Sequence, residues 1–362
     1  MFIKYIFCLY TLLFIIIPLN LFALTTAEEQ NLYTSFNNKN RKIIADGILQ
    51  NSQKFYLGQA DEKATKILID KLNYNDNRYQ NYYTYTFLLD SNISSSHTDY
   101  QNQSVSNLYI ENKNINFGIS TDNKNLSFGL GLSTTFISSK DNTESIYTLT
   151  GQNFSLNFFS SYHYENFFYI ITNIQSNMSN SSISRISETS TNLSDIQDNS
   201  TAISIKLGST DYITKTIPIF INPYIILSAN KYDFSEYQET NKITGVGYQS
   251  STYSEITELI GIKLSYKYQV NYRNLVKYIL TDIIFNYQHT NPLQDLYNKT
   301  YILSNPQDIY SINSNLMNTN YSTTLNITTG SNKYISKFYI SYQKNKEITS
   351  ILTGFLISYY FM

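Results

Sequence analysis

The sequence predicts an all-β chain, an antiparallel transmembrane β-barrel of about twelve strands, preceded by a short helical N-terminal segment. Three observations carry this expectation. From about Tyr82 to the C-terminus, apolar residues recur at alternate positions, the period of a pleated strand with one apolar face. Beyond Ala27 no apolar run reaches helical-span length, which excludes a polytopic helical membrane protein. The composition also suits a soluble surface poorly: aromatic residues reach 15%, and charged residues are only 15% where about 25% is usual.

The N-terminus reads as an export leader over residues 1–23. Lys4 supplies the charged region, Tyr5 to Ile17 the apolar region, and Pro18 to Ala23 the cleavage region, with processing expected after Ala23 or Ala27. A retained anchor is the alternative, though the apolar stretch is short for a ~20-residue span. Cys8 does not follow the apolar region, as the modified cysteine of a lipoprotein would, so a lipoprotein is not expected.

Residues 24–80 form a separate segment. Ala60, Ala64, Leu68 and Leu72 recur at four-residue spacing, which predicts an amphipathic helix over about 60–72. A second helical stretch is expected near Arg41 to Gln50, weakened by Gly47.

Residues 81–362 form the barrel. Leu126, Phe128, Leu130 and Leu132 alternate with Ser127, Gly129, Gly131 and Ser133, and Ile260, Ile262, Leu264, Tyr266 and Tyr268 alternate with Gly261, Lys263, Ser265 and Lys267. Strands are expected near 82–90, 108–120, 125–138, 148–163, 166–176, 201–214, 219–234, 253–269, 275–290, 311–329, 334–344 and 349–361. That leaves about 23 residues per strand and connection, enough for a ~10-residue crossing with alternating short and long loops. The polar stretches Ser176 to Asn199, Tyr237 to Ser251 and Asn291 to Tyr310 read as loops, and Tyr164 to Asn166 and Ser331 to Lys333 as tight turns. Arg is expected to be rejected at Leu130 or Ile262, on the lipid face, and tolerated at Ser133 or Ser265, on the lumenal face.

A soluble β-sandwich has the same period. Against it stand strands longer than the usual ~5–6 residues, tyrosines at strand ends as in aromatic girdles (Tyr162/Tyr164, Tyr266/Tyr268, Tyr359/Tyr360), and the exposed edges that only closure removes.

At the C-terminus Ile351, Thr353, Phe355, Ile357, Tyr359 and Phe361 occupy alternate positions. This ending resembles the terminal strand of bacterial outer-membrane barrels. The resemblance implies recognition by the barrel-assembly machinery through Phe355, Ile357, Tyr359 and Phe361. Upstream, Pro223, Tyr224, Ile225, Leu227, Ala229, Tyr232, Phe234 and Glu236, followed by Gly261, Leu264, Ser265 and Tyr266, resemble consecutive strands of the autotransporter translocator domain. That resemblance implies an outer-membrane translocator or surface-exposed antigen with little or no passenger, embedded in outer-membrane lipid as a monomeric barrel. It also implies that the helix at 60–72 plugs the pore; a surface helix in a small cap is the other reading. A small-solute pore and a secreted β-rich adhesin are the alternatives in function.

No catalytic, cofactor-binding or metal-binding residue emerges. With a lone Cys and three scattered His, neither a disulfide framework nor a thiolate or His-rich metal site is expected. His97, His163 and His289 lack the Ser-Asn-Gly sequence that follows the histidine of outer-membrane phospholipases, so no enzyme is expected. The balance of 26 basic and 27 acidic residues excludes a nucleic-acid footprint. Lys206, Lys263 and Lys267 share the small-residue face and are expected in the lumen, as solvated charges, as a bias on permeation or as the cradle of a plug.

Overall fold

The computed structural model describes residues 38–73, 84–98, 108–122, 126–141, 147–164, 168–187, 190–209, 211–212, 219–242, 245–272, 276–313, 319–331 and 334–361. The leader expected at 1–23 and the boundary expected near residue 80 lie outside the described residues.

Among the described residues one helix, α1 (Asn38–Asn73), is followed by strands throughout. These are β1 (Thr84–Thr98), β2 (Leu108–Asp122), β3 (Leu126–Asp141), β4 (Tyr147–Tyr164), β5 (Phe168–Ser187), β6 (Ser190–Ser209), β7 (Asp211–Tyr212), β8 (Ile219–Phe234) and β9 (Tyr237–Gln238). After them come β10 (Val246–Tyr248), β11 (Ser251–Tyr272), β12 (Val276–Pro292), β13 (Tyr297–Ile302), β14 (Asn305–Asn313), β15 (Thr319–Gly330), β16 (Tyr334–Lys344) and β17 (Ile348–Phe361). Twelve long strands close into an antiparallel barrel in the order β1-β2-β3-β4-β5-β6-β8-β11-β12-β15-β16-β17, sealed where β1 pairs with β17 from Tyr85↔Phe361 to Thr98↔Ile348. Closure leaves no unpaired edge among these strands, which lets a sheet cross hydrocarbon.

Alternation fixes what faces where. Leu130, Leu132, Ile203, Ile260 and Ile283 project outward, while Ser127, Ser133, Ser204 and Lys263 on the same strands are buried inside. Tyr85, Tyr162, Tyr164, Tyr266, Tyr268 and Tyr359 ring the outer wall near the end that carries both barrel termini, and Tyr287, Tyr321 and Tyr342 flank the belt on the other side. Two girdles bounding an apolar band are the pattern of a membrane-spanning barrel. Short connections lie at the end of the termini, as at Ser331, whose N–H donates to the Tyr334 carbonyl at 2.9 Å. The longer connections lie at the opposite end, the extracellular one in barrels of this kind.

Three expectations are corrected. Ser176 to Asn199 is not a loop: β5 and β6 continue through it, pairing from Phe168↔Ser209 to Ser187↔Ser190. Its Ser and Asn side chains disguised a hairpin that rises beyond the membrane, where the outer face has no reason to be apolar. The stretches 237–251 and 291–310 are not simple loops either, since β14-β13-β10-β9 form a small four-stranded sheet over the extracellular mouth. Finally, α1 is a single helix of 36 residues that runs through both expected helices without a break at Gly47.

Candidate functional site

The site is the lumen and the helix it holds. The part of α1 whose side chains are described, Lys39 to Gly58, packs on the wall formed by β2 to β6 and β8. Its apolar residues are spread around the turn because protein surrounds it on several sides. Ile43, Ile44 and Ile48 join the extracellular ends of the barrel wall (Leu108, Ile110, Ile137, Leu149, Ile183, Ile196) and the small sheet above (Tyr237, Val246, Tyr248, Ile302) in one buried cluster. At the next residue, Leu49 packs with Tyr232, Phe234 and Tyr253. Deeper still, Phe55 and Tyr56 meet Leu88, Phe159 and Leu356.

Two glycines set how closely the helix approaches. A Cβ at Gly131 of β3 would lie 2.1 Å from the Tyr56 ring, so the glycine leaves the niche that ring fills. The Tyr56 hydroxyl donates to the Phe117 carbonyl at 3.1 Å. A Cβ at Gly47 would stand 3.1 Å from Asn112 Nδ2, so the residue that lowers intrinsic helix propensity brings α1 against β2. Polar contacts complete the seat: Asn51 Nδ2 donates to Ser94 Oγ at 3.3 Å, Ser52 Oγ to Asn157 Oδ1 at 3.2 Å, and Gln53 Nε2 to Ser204 Oγ at 3.0 Å.

Charge anchors the extracellular end of α1 at three points of the circumference. Lys39 meets Glu347, between β16 and β17, at 3.1 Å. Arg41 donates to Asp198 of β6 through Nε at 2.9 Å and to the Ser235 carbonyl at 2.8 Å, with its guanidinium 5.1 Å from the centre of the Phe234 ring. Lys42 bridges Asp46 at 2.6 Å and Glu255 of β11 at 2.9 Å, and its ammonium lies over Tyr232 and Tyr253. Lys42 and Glu255 are each about 3% exposed, so neither is screened by water. On the outer wall beside this cluster stand the charged Lys231 and Asp233, which puts it beyond the hydrocarbon layer. Burial there pushes the Asp46 carboxyl up to about 6 against the opposing pull of Lys42. Burial also opposes the charge on Lys42, but the Asp46 and Glu255 carboxylates outweigh it and hold the ammonium above its ordinary value.

Above α1, Arg185 of β5 donates from Nε to Glu239 at 2.8 Å, and Glu239 also accepts the Val246 N–H at 3.0 Å. Tyr237 and Tyr248 stack at 4.7 Å. This buried pair ties the β5–β6 hairpin to the small sheet. Along the side that α1 leaves open, a cavity of about 200 Å³ runs beside β8, β11, β12, β15 and β16, lined among others by Lys206, Lys263, Lys337, Asp90 and Asp282.

Lys206, Lys263 and Lys267 are all buried on the lumenal face, as the alternation requires. Of the three histidines, His163 lies inside, 3.3 Å from Ser161 Oγ, His289 contacts Asn291 at 3.0 Å, and His97 stands on β1 on the outward-facing parity, so the three do not converge. Among the described residues no three His, Cys, Asp or Glu gather as metal ligands. The segment seen seated on the wall is 39–58; the side chains of 60–72, where the plug was expected, lie outside the described residues. The overlooked signal was Lys39, Arg41 and Lys42 heading a helical stretch, with acids at lumenal positions Asp198 of β6 and Glu255 of β11 and at Glu347 in the turn between β16 and β17.

A family model described as the autotransporter beta-domain matches residues 80–342. Among solved structures, the translocator domain of the autotransporter NalP from Neisseria meningitidis superposes with a TM-score of 0.61 at 11% identity, covering 84% of this chain and 99% of that one. The transport unit of AIDA-I from Escherichia coli follows with a TM-score of 0.53 at 14% identity, covering 82% and 97%, and the beta domain of the Bordetella autotransporter BrkA with 0.53 at 8%, covering 76% and 98%. No curated protein matches the sequence. The family match spans most of the chain and the fold agrees, so this chain belongs to the autotransporter beta-domain family and is an outer-membrane translocator barrel.

Proposed function

We propose that this translocator is held in a plugged resting state, with Lys39 to Gly58 of α1 closing the lumen and the small extracellular sheet clamped over its end. The observation that carries the reading is the three-point attachment of Lys39, Arg41 and Lys42 to separate parts of the wall. Such a seat holds a segment that has finished moving through the pore. The protein acts without catalysis, as a monomeric barrel in outer-membrane lipid. Residues 1–23 direct export, and Phe355, Ile357, Tyr359 and Phe361 present the assembly signal on β17.

Conductance in planar bilayers tests the reading. The intact chain is expected to pass little current, and a chain lacking residues 28–58 a large, steady one. Equal conductance would overturn the plug and favour a small-solute pore using the cavity beside α1.

A further inference from the structure

The outer wall carries a patch that translocation does not use. On each strand, the first outward side chain beyond the apolar run marks the headgroup layer on the extracellular side. On β2 the outward run Ile119, Phe117, Ile115 ends in Lys113, and on β16 the run Phe338, Ile340, Tyr342 ends in Lys344. Lys346 follows in the turn. Between these strands lie β17 and β1, whose outward positions at this end are Thr349, Ser95 and His97. Lys344 pairs in register with Thr349, Thr349 with His97, and His97 with Tyr109. Beyond Lys113, Lys140 of β3 reaches over the Tyr109 ring at 5.9 Å, and Ser95 Oγ donates to the Tyr109 hydroxyl at 2.9 Å.

The rest of the circumference differs. The run on β8 ends in Lys231, which is bound to Asp233 at 3.0 Å, and that on β11 ends in Glu258. The runs on β4, β5 and β6 end in Gln152, Asn180 and Thr201. Exposed cations at the edge of the belt thus concentrate on β16 and β2, on either side of a hydroxyl-bearing pair of strands, with Lys140 of β3 standing further out beyond Ser138. Among the described residues two acids lie at the patch: Glu111, 2.9 Å from Lys113, and Glu347, which follows Lys346 but turns inward to Lys39 at 3.1 Å. Lys113 is still 61% exposed, and an ion pair that open to water holds its partner weakly.

We propose that this face binds the phosphate groups of a phosphorylated lipid in the outer leaflet, with Lys344 and Lys346 on one side, Lys113 on the other, and Thr349 donating between them. Adjacent strands lie about 4.8 Å apart, which puts the two lysine-bearing strands about 14 Å from each other, and Lys113 lies four residues, about 13 Å, along β2 from the register line of Lys344, so the two lysines flank a span of about 20 Å with room for two phosphate groups. The acyl chains would lie on Ile93, Ile115, Ile340 and Ile351, already exposed on the same strands. Charge and apolar surface thus meet in the order in which a lipid presents them.

The test is native mass spectrometry of the full chain in neutral detergent, titrated with bisphosphorylated lipid A, the same lipid stripped of phosphate, and inorganic phosphate alone. Retention of the phosphorylated lipid only is expected. The triple variant K113Q/K344Q/K346Q should bind it far more weakly, on the order of fivefold for each lysine removed. E111Q should bind more tightly, and K231Q should match the parent chain. All these positions are on the outer surface, and a shift in gel mobility on heating verifies that each variant is a closed barrel. Equal retention by the triple variant, or equal retention of the stripped lipid, would overturn the proposal. Retention of inorganic phosphate as strong as that of the lipid would also overturn it, since the patch would then be a general anion site.

Discussion

Five inward-facing rings lie directly across from glycines on the neighbouring strand: Phe159 on Gly129, Tyr169 on Gly208, Tyr224 on Gly261, Tyr278 on Gly330 and Tyr339 on Gly354. Each glycine is needed for want of a side chain, because a Cβ would lie within about 2.3 Å of the ring. The Tyr224–Gly261 contact joins the Pro-Tyr strand to the Gly-x-x-Leu-Ser-Tyr strand, so two motifs separate in sequence are halves of one joint. Lys206 Nζ rests 3.9 Å from the centre of that Tyr224 ring. Gly261→Val is expected to destabilise the barrel by about 1–3 kcal/mol in denaturant titration, and Tyr224→Ala should largely rescue it; absence of rescue would assign Gly261 another role. In the anchor, Glu255→Gln leaves Lys42 with Asp46 alone and should weaken the seat of α1 by about 1.5–3 kcal/mol, seen as faster proteolysis of the helix. Asp46 has the opposite sign from an ordinary salt-bridged carboxylate. Burial raises its folded-state pKa to about 6, above the ordinary carboxylate value of 3.8, so the native state binds the extra proton and stability falls as pH rises from about 4 to 6. Asp46→Asn should remove that part of the pH dependence; parallel stability curves for the variant and the parent chain would show that Asp46 has no raised pKa.

Strands and helix make different demands on their two faces. Leu130, 60% exposed on the outer wall, faces lipid, and Leu130→Arg should cost about 2–4 kcal/mol near the bilayer midplane. The expected tolerance at Ser133 does not survive the structure. Ser133 Oγ lies 3.3 Å from the Tyr56 hydroxyl and 3.4 Å from Ser52 Oγ, so an arginine there would collide with α1. Ser133→Arg is therefore predicted to leave the barrel closed, by heat-dependent gel mobility, while opening the pore in conductance recordings. A variant with the parent chain's low conductance would place the helix elsewhere.

For the whole molecule, closure is the decisive property. β17 pairs with β1 over its length on one side and with β16 on the other, so deleting residues 351–362 would expose two backbone edges to lipid, each unsatisfied group costing several kcal/mol. The deletion should abolish outer-membrane accumulation, whereas Phe361→Ala, which leaves the backbone free to pair, should only lower the yield in membrane fractions. Normal membrane levels of the deletion product would mean that β17 does not close the barrel.

The period-two alternation by itself determined the strand number, the lipid and lumenal faces and the positions of most turns, because a half-apolar strand in a closed sheet is specified residue by residue through local parity. The lumenal positions of Lys206, Lys263 and Lys267 followed from the same parity. The path of α1 was decided only by tertiary structure. A helix enclosed by protein shows no single apolar stripe, so Ile43, Ile44, Leu49, Phe55 and Tyr56 point to different walls and left no amphipathic signature, while the clearer pattern at 60–72 drew attention away. The upper part of the β5–β6 hairpin was hidden for a related reason. Its outward Ser, Asn and Asp residues stand above the membrane, where solvent removes the demand for alternation, and only pairing with the neighbouring strand shows that the ladder continues to Ser187 and Ser190.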